Sequence, residues 1–287
     1  MSLNDEVKTL ITSLQTNGII PINDYDITKM KGTTDGVVYI IQDRNQPKYV
    51  LKLDHPQQNS FAFQFLDTYS NIRVLPKLLE VAPDYQYILY TYLNGTTHFN
   101  RGSKKEWLTL LVKELFNHYQ RSDSNSNWGR FDIPRTSWHE FNLHSIEWAR
   151  ESVASILPNE DYATVRTLVD ELSAFETKED KFLLHGDTGV HNFTFLDQKL
   201  TGVIDPSPMI GPVIYDFTYA FCSSPDDLNR ETLLDTFSHL NLVSMDQTRL
   251  IKEVIVQLYT RIGICARVHP QDLADYVVAW DYWKKQL

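Results

Sequence analysis

Residues 182 to 205 read FLLHGDTGVHNFTFLDQKLTGVID, and they constrain the fold more than any other stretch. Two short runs rich in Phe, Leu, Val and Ile, FTFL and LTGVI, flank the polar turn DQK. On both sides the chain shows helical periodicity, so an antiparallel hairpin is set into a largely helical region. A hairpin centred on DQK places Asn192 opposite Asp205 at its open end. Asp187 lies five residues before Asn192, in the loop DTGVH that leads into the first strand. Two carboxylates and an amide are thereby expected to converge on one spot.

An amide oxygen beside a carboxylate is a pair of hard oxygen ligands. Such a pair suits Mg²⁺, which keeps several waters and binds through few protein groups together with substrate phosphates. A further carboxylate close by can orient a hydroxyl and accept its proton. Asn192 and Asp205 as metal ligands with Asp187 as base form an arrangement for phosphoryl transfer. Two other readings stand beside it. Asp187, Asn192 and Asp205 are also residue types that cap loops and turns. His185, Asp187 and His191 are also a set from which a transition-metal site of a hydrolase could be built, although their spacing matches no common zinc pattern. A buried, hydrogen-bonded His185 that braces the loop is the plainer expectation for that residue.

The remaining periodicity divides the chain in two. Residues 3–16 pattern as an amphipathic helix. Residues 24–54 alternate as strands, with turn signals at Gly32, at Asp35-Gly36 and at DRNQP. Residues 58–70 read as a helix, and YQYILYTYLNG (85–95) as a strand ending in a turn. Beyond residue 104 the pattern predicts helices at 104–121, 140–156, 160–176, 228–239, 246–266 and 270–285. The SDSNSN run at 122–127 is a loop signal. The expected organisation is a strand-rich N-terminal lobe, 1–93, and a helical C-terminal lobe, 94–287, that carries the hairpin.

Composition narrows the function. Residues 1–97 hold 8 Lys+Arg and 10 Asp+Glu, and residues 98–287 hold 19 and 27, so most of the net charge of −10 falls in the second part. A chain without a basic face is not a general nucleic-acid binder. No run of about 18 apolar residues predicts a membrane span. The opening MSLNDEVKTL lacks the layout of a secretory leader, and two cysteines, Cys222 and Cys265, do not make a disulfide framework. Buried free thiols in a cytoplasmic protein are the expectation.

HGDTGVHN (185–192) resembles the HGDxxxxN catalytic loop of the aminoglycoside phosphotransferase and choline kinase-like families. VIDPSPMIGPVIYD (203–216) resembles their second motif, an Ile-Asp followed by a Gly and then an Asp. The spacing of 18 residues from Asp187 to Asp205 fits as well. The resemblance implies an α+β, two-lobed protein kinase-like fold, with a small antiparallel β-sheet lobe, a larger helical lobe and an active site in the cleft between them. It implies Asp187 as catalytic base, Asn192 and Asp205 as ligands of Mg²⁺, and Asp216 as a structural brace of the loop. ATP or GTP is the implied phosphoryl donor and a small hydroxylated molecule the acceptor.

That resemblance directs attention to the first lobe. KGTTDGVVYII (31–41) opens a strand with small residues, and Gly32, Thr33 and Thr34 would let backbone N–H groups approach a phosphate. Pairing VVYII with KYVLKLD places Lys52 opposite Val37, beside that turn, where a lysine reaches the α/β-phosphates. YTYLNGTT resembles the family's connector, so the backbone at Tyr92 is expected along the adenine edge. The helix glutamate that pairs with the lysine in the family is missing. Gln58 and Gln64 are the nearest candidates and carry no charge. Hence the alternative reading: a catalytically weak pseudokinase serving as a nucleotide-binding regulatory module. Asp226, Asp227, Glu231, Asp275 and Asp281 would attract amino groups, as of an aminoglycoside, with ordinary solvation as the competing use of these charges. Trp280, Tyr282 and Trp283 are candidates for stacking on a sugar ring or for the core.

Overall fold

The computed structural model describes residues 3–22, 24–30, 36–97, 99–178 and 180–287. They form two compact units, residues 1–71 with 75–94, and residues 72–74 with 95–287.

The first unit begins with helix α1 (Leu3–Thr16). Its apolar residues Val7, Ile11 and Leu14 recur at helical spacing and are buried, which gives the helix one apolar stripe. Strands β1 (Asp26–Lys29), β2 (Val37–Asp43) and β3 (Gln46–Leu53) follow, then helix α2 (Pro56–Thr68) and strands β4 (Leu78–Val81) and β5 (Tyr87–Thr91). The strands form one antiparallel sheet in the order β1-β2-β3-β5-β4. Alternate residues Tyr39 and Ile41 of β2, with Leu51 and Leu89, share a core with the α1 stripe. Arg44 and Asn45 both have positive φ, 50° and 63°, and join β2 to β3 as a two-residue turn, the geometry that matches the twist of paired strands. The turn pairs Asp43 with Gln46 as expected, and a bulge between Ile41 and Gln42 then shifts the register by one residue: Lys52 faces Val38, not Val37.

The second unit holds helices α3 (Lys104–Glu114), α4 (Trp138–Val153), α5 (Asn159–Leu172), α6 (Val213–Cys222), α7 (Arg230–Phe237), α8 (Gln247–Val268) and α9 (Leu273–Lys284). Side chains of Ser103, Ser137, Asn229 and Asp246 cap α3, α4, α7 and α8 by accepting from a backbone N–H three residues on, which satisfies donors the helix leaves open. At 22 residues α8 is the longest. It packs against α4, α5, α6 and α9. Close approach to α4 requires Gly263, where a Cβ would meet Ala149 Cβ at 2.7 Å.

Two pieces of sheet support the loops of this unit. Strands β6 (Trp128–Arg130), β7 (Pro134–Arg135), β8 (Phe182–Leu184) and β11 (Met209–Gly211) form an antiparallel sheet ordered β7-β6-β11-β8. Strands β9 (Phe193–Leu196) and β10 (Lys199–Val203) form the hairpin expected from sequence, turning at Asp197 and Gln198 with positive φ. The helix expected at 104–121 ends at Glu114 and tightens into a 3₁₀ turn at Phe116–His118, and that expected at 160–176 ends at Leu172 and continues as 3₁₀. Helix α6 was not legible from periodicity. Eight of its ten residues are buried, so it shows no polar face to mark its period. Among the described residues no helix is long and apolar enough to cross a membrane.

Candidate active site

The loop between β8 and β9, residues 185–192, is held from beneath by one buried carboxylate. Asp216, in the first turn of α6, is fully buried. Its Oδ2 accepts from Tyr119 Oη at 2.6 Å and from the His185 backbone N–H at 2.9 Å, and its Oδ1 accepts from the Gly186 N–H at 3.1 Å. Thr188 Oγ1 donates to the Asp216 carbonyl at 2.8 Å. Burial pushes the Asp216 carboxyl up to about 7, against the pull of the bonds from Tyr119, Gly186 and His185. The brace that the resemblance assigns to Asp216 matches this set of bonds. Only glycine fits position 186: φ is +78°, and a Cβ there would meet the Ser207 carbonyl oxygen at 2.1 Å, a conformation and an approach that exclude a side chain.

His185 points into the interior. Its Nδ1 accepts from the Asp187 N–H at 3.3 Å and its Nε2 donates to the Ile204 carbonyl at 3.1 Å. Both ring nitrogens are therefore committed in the neutral tautomer, and burial lowers its pKa to about 4. This removes His185 as a ligand for a transition metal. Among the described residues no three His, Cys, Asp or Glu side chains are arranged to hold a metal ion. The hydrolase reading loses its site.

Asp187 is the focus of the loop. Its Oδ2 lies 3.2 Å from His191 Nε2 and accepts from Asn192 Nδ2 at 2.9 Å. Asn192 Nδ2 also donates to the Asp187 carbonyl at 3.0 Å. The Tyr219 hydroxyl, one turn along α6 from Asp216, bonds to the Asp187 carboxylate as well. Burial alone would raise this carboxyl, but the bonds from His191 and Tyr219 and the nearby imidazoles outweigh it, and Asp187 is held well below the usual carboxylate range. A quarter of the side chain remains exposed. It is an ionised carboxylate fixed in orientation, with surface left for a ligand.

The hairpin brings Asn192 and Asp205 to adjacent positions but not directly opposite. A bulge between Leu200 and Gly202 shifts the register, and the Ile204 N–H donates to the Asn192 carbonyl at 2.8 Å. Asn192 thus faces Ile204, with Asp205 the next residue. Asp205 is exposed and carries a φ of +54°, a left-handed conformation that aspartate tolerates better than most residues. With Asn192 Nδ2 turned to Asp187, its Oδ1 is the acceptor that remains. An amide oxygen and a carboxylate one residue apart across the hairpin fit a hard divalent cation.

Arg130, at the end of β6, donates to the Ser207 hydroxyl and, at 3.4 Å, to the Gly186 carbonyl. Burial alone would lower its pKa, and Tyr215, Tyr219 and Asp187 more than offset that. Tyr119, Arg130 and Tyr219 are site residues that sequence reasoning did not find. Tyr219 sits at helical spacing from Asp216, a signal usable once α6 is known. Tyr119 and Arg130 come from distant segments and carry no local signal.

In the first unit, Lys52 Nζ lies 3.4 Å from Asp54 Oδ2. Gln58 and Gln64 are exposed on α2, where the buried polar residue is Asn59. The carboxylate seen beside Lys52 is that of Asp54, one residue past the end of β3, and neither glutamine takes the role considered for it. Tyr92 donates its N–H to the Lys48 carbonyl at 2.8 Å, which leaves its carbonyl, and not its N–H, for an adenine edge. Gly32, Thr33 and Thr34 lie outside the described residues.

A cavity of about 910 Å³ in the second unit opens beside His191 and is walled by Arg101, Asp227, Arg261, Asp275 and Tyr282. Trp280 and Trp283 do not reach it as stacking platforms. Both are fully buried, with their indole N–H groups on Asp161 Oδ2 and the Leu228 carbonyl. Tyr282 is the aromatic residue of that trio on the cavity wall.

Solved structures with the same architecture are similar along almost the whole chain. A thermostable mutant of the aminoglycoside phosphotransferase APH(4)-Ia, in ternary complex with ADP and hygromycin B, is 15% identical, covers 95% of this chain and 97% of its own, and gives a TM-score of 0.57. Choline kinase from Cryptosporidium parvum Iowa II is 14% identical, with 98% and 95% coverage and a TM-score of 0.62. A putative aminoglycoside phosphotransferase from Ralstonia eutropha is 12% identical, with 97% and 98% coverage and a TM-score of 0.63. No curated protein matches the sequence. The fold is protein kinase-like: a small antiparallel sheet unit and a larger helical unit. The model of the phosphotransferase enzyme family matches residues 26–250, and the chain belongs to that family.

Proposed function

We propose that this protein transfers the γ-phosphoryl group of ATP or GTP to a hydroxyl of a small molecule. The observation that carries the reading is the state of Asp187: ionised, oriented by His191, Asn192 and Tyr219, and mounted on a backbone clamped by Asp216. A carboxylate with a depressed pKa is a weak base before reaction. It aligns the acceptor hydroxyl by accepting its hydrogen bond, and takes the proton late, as the oxygen bonds to phosphorus. The bond from phosphorus to the bridging oxygen breaks, and its electrons leave with the nucleoside diphosphate. Asn192 and Asp205 would hold Mg²⁺, which when bound neutralises phosphate charge. Lys52, with Asp54 as its carboxylate, is proposed to contact the nucleotide phosphates, and the Tyr92 carbonyl its base. Positioning and charge stabilisation supply the rate, since such a site forms no covalent intermediate.

The acceptor we propose is a hydroxylated molecule that carries an amino group, such as an aminoglycoside. The exposed carboxylates Asp227 and Asp275 on the cavity wall and the hygromycin B complex of the structural relative support this class. The test is nucleotide turnover, with and without Mg²⁺, against aminoglycosides, choline, amino alcohols and sugars, in parallel with Asp187→Asn. Acceptor-dependent transfer that needs Mg²⁺ and falls about 100-fold or more in the variant is expected. Nucleotide binding with no transfer to any acceptor would replace the enzyme with a regulatory nucleotide-binding module. The ion pair of Lys52 with Asp54 weakens the motive for that alternative, which was the missing helix glutamate.

A further inference from the structure

The cavity beside His191 is not uniformly acidic. Arg261, on α8, lines it and is only 6% exposed. Its Nε donates to Tyr276 Oη at 3.0 Å, and its guanidinium lies over the Tyr276 ring. Among the described residues no carboxylate stands within ion-pair distance of it. A buried guanidinium has five donors, and the bond to tyrosine uses one. None of the Arg261 nitrogens is a buried atom left without a partner, so the donors that Tyr276 does not use open on the cavity, where an anion can meet them. His269 lines the same cavity. Burial depresses its pKa, Arg261 and His191 add to that, and Asp272, also on the cavity wall, opposes it. His191 in turn contacts Asp187.

The carboxylates of the cavity are differently disposed. Asp226 is already answered by Arg101 at 2.8 Å. Asp227 and Asp275 are exposed. Phe99 and Tyr282 add aromatic surface, 73% and 37% exposed. An ammonium group is thus attracted to the exposed aspartates and repelled from the deeper guanidinium of Arg261.

We infer that the acceptor is zwitterionic: a carboxylate or phosphate group bound by Arg261 with His269 near the reacting hydroxyl, and an amino group directed to Asp227 and Asp275. This rests on the phosphotransferase reading for the identity of the reacting hydroxyl, and goes beyond it in naming an anionic subsite. Arg261 is a specificity-determining residue in this account, distinct from the groups that touch the transferred phosphoryl.

The test uses four sugar probes that differ in charge: glucose, glucosamine, glucuronate and muramic acid, which carries both an amine and a carboxylate. Binding of each to the intact chain is measured by calorimetry, and turnover is measured with Mg·ATP. Muramic acid is expected to bind roughly 10-fold or more tightly than glucosamine, and Arg261→Gln to erase that advantage while leaving glucosamine unchanged. Since Arg261→Gln also removes the bond to Tyr276, Tyr276→Phe serves as the second variant. It removes the bond, keeps the guanidinium, and is expected to keep the preference for the carboxylate. Glucosamine binding as tightly as muramic acid would overturn the anionic subsite. So would failure of both carboxylate probes to bind at about 10 mM, or an Arg261→Gln effect of equal size on all four probes. Selective binding with no phosphoryl transfer to any acceptor would instead overturn the phosphotransferase reading and leave the subsite standing.

Discussion

Replacing Tyr119 by Phe removes one hydroxyl from beneath the catalytic loop and nothing else. The ring packs on Phe116 with centroids 5.6 Å apart, a contact phenylalanine retains. What is lost is the bond of 2.6 Å to Asp216 Oδ2, with the longer one of 3.3 Å that the hydroxyl accepts from the His185 N–H (a donor that Asp216 also satisfies), in a place where the tyrosine is 5% exposed and the aspartate fully buried. A bond to an ionised group contributes about 1.5–3 kcal/mol, and one to a neutral group about 0.5–1.5 kcal/mol. The two cases are separated by pH. Burial pushes Asp216 up to about 7 in the folded protein, against about 3.9 unfolded. The folded state therefore holds the proton longer. The Asp216 contribution to stability is full below about pH 4 and is lost as pH rises through about 7. The tyrosine bond opposes that loss by favouring the ionised form. Tyr119→Phe is expected to destabilise by about 2 kcal/mol near pH 8.5, where Asp216 is ionised, and by about 1 kcal/mol near pH 5.5. Urea unfolding followed by tryptophan fluorescence reads the right part of the molecule, because all six tryptophans lie in the helical unit. A loss below about 0.5 kcal/mol at both pH values, or a larger loss at the acidic one, would refute the clamp as argued.

Three further outcomes follow from the same geometry. Gly186→Ala places a Cβ at 2.1 Å from a backbone carbonyl in a left-handed conformation, and is expected to cost about 3 kcal/mol or more in the same urea assay. A change under about 1 kcal/mol would mean that the loop relaxes freely. His185, lowered to about 4 by burial, contributes stability that is full above about pH 6.5 and is lost as pH falls through about 4, opposite in sign to Asp216. The parent should show little net slope between these limits, while His185→Gln should lose stability as pH rises; a flat variant would count against the pair. Lys52→Met is expected to raise the nucleotide KM about 10-fold or more with the acceptor KM unchanged in steady-state assays. Equal changes in both constants would sink its assignment to the phosphates.

The strand-helix plan was legible because local pattern is enough to specify it. The α1 stripe of Val7, Ile11 and Leu14 and the alternation of Tyr39 and Ile41 carry the period of their own element. The hairpin β9–β10 was legible from the apolar runs on either side of a polar turn. Register was not, at either hairpin: a bulge between Ile41 and Gln42 moved β2 against β3 by one residue, and in β9–β10 a two-residue turn at Asp197 and Gln198, only partly offset by the bulge between Leu200 and Gly202, left the open end one residue from expectation. Helix α6 escaped because burial on all sides removes the contrast on which periodicity depends.

The sequence by itself determined the chemistry that residues 185–205 can perform, since the types and spacing of Asp187, Asn192 and Asp205 are covalent facts. It also determined that a lysine with no glutamate on the following helix needed another counter-ion. Tertiary structure alone decided that Asp54 is that counter-ion, that His185 is spent on Ile204 and the loop backbone, and that Tyr119, Arg130 and Tyr219 join the site. It also decided that Arg261 lines a cavity where, among the described residues, no carboxylate stands within ion-pair distance of it. The reason is physical. Ionisation, hydrogen-bond partnership and counter-ion supply depend on which groups are brought together out of water, and residues 97 positions apart, such as Tyr119 and Asp216, become neighbours only in the folded chain.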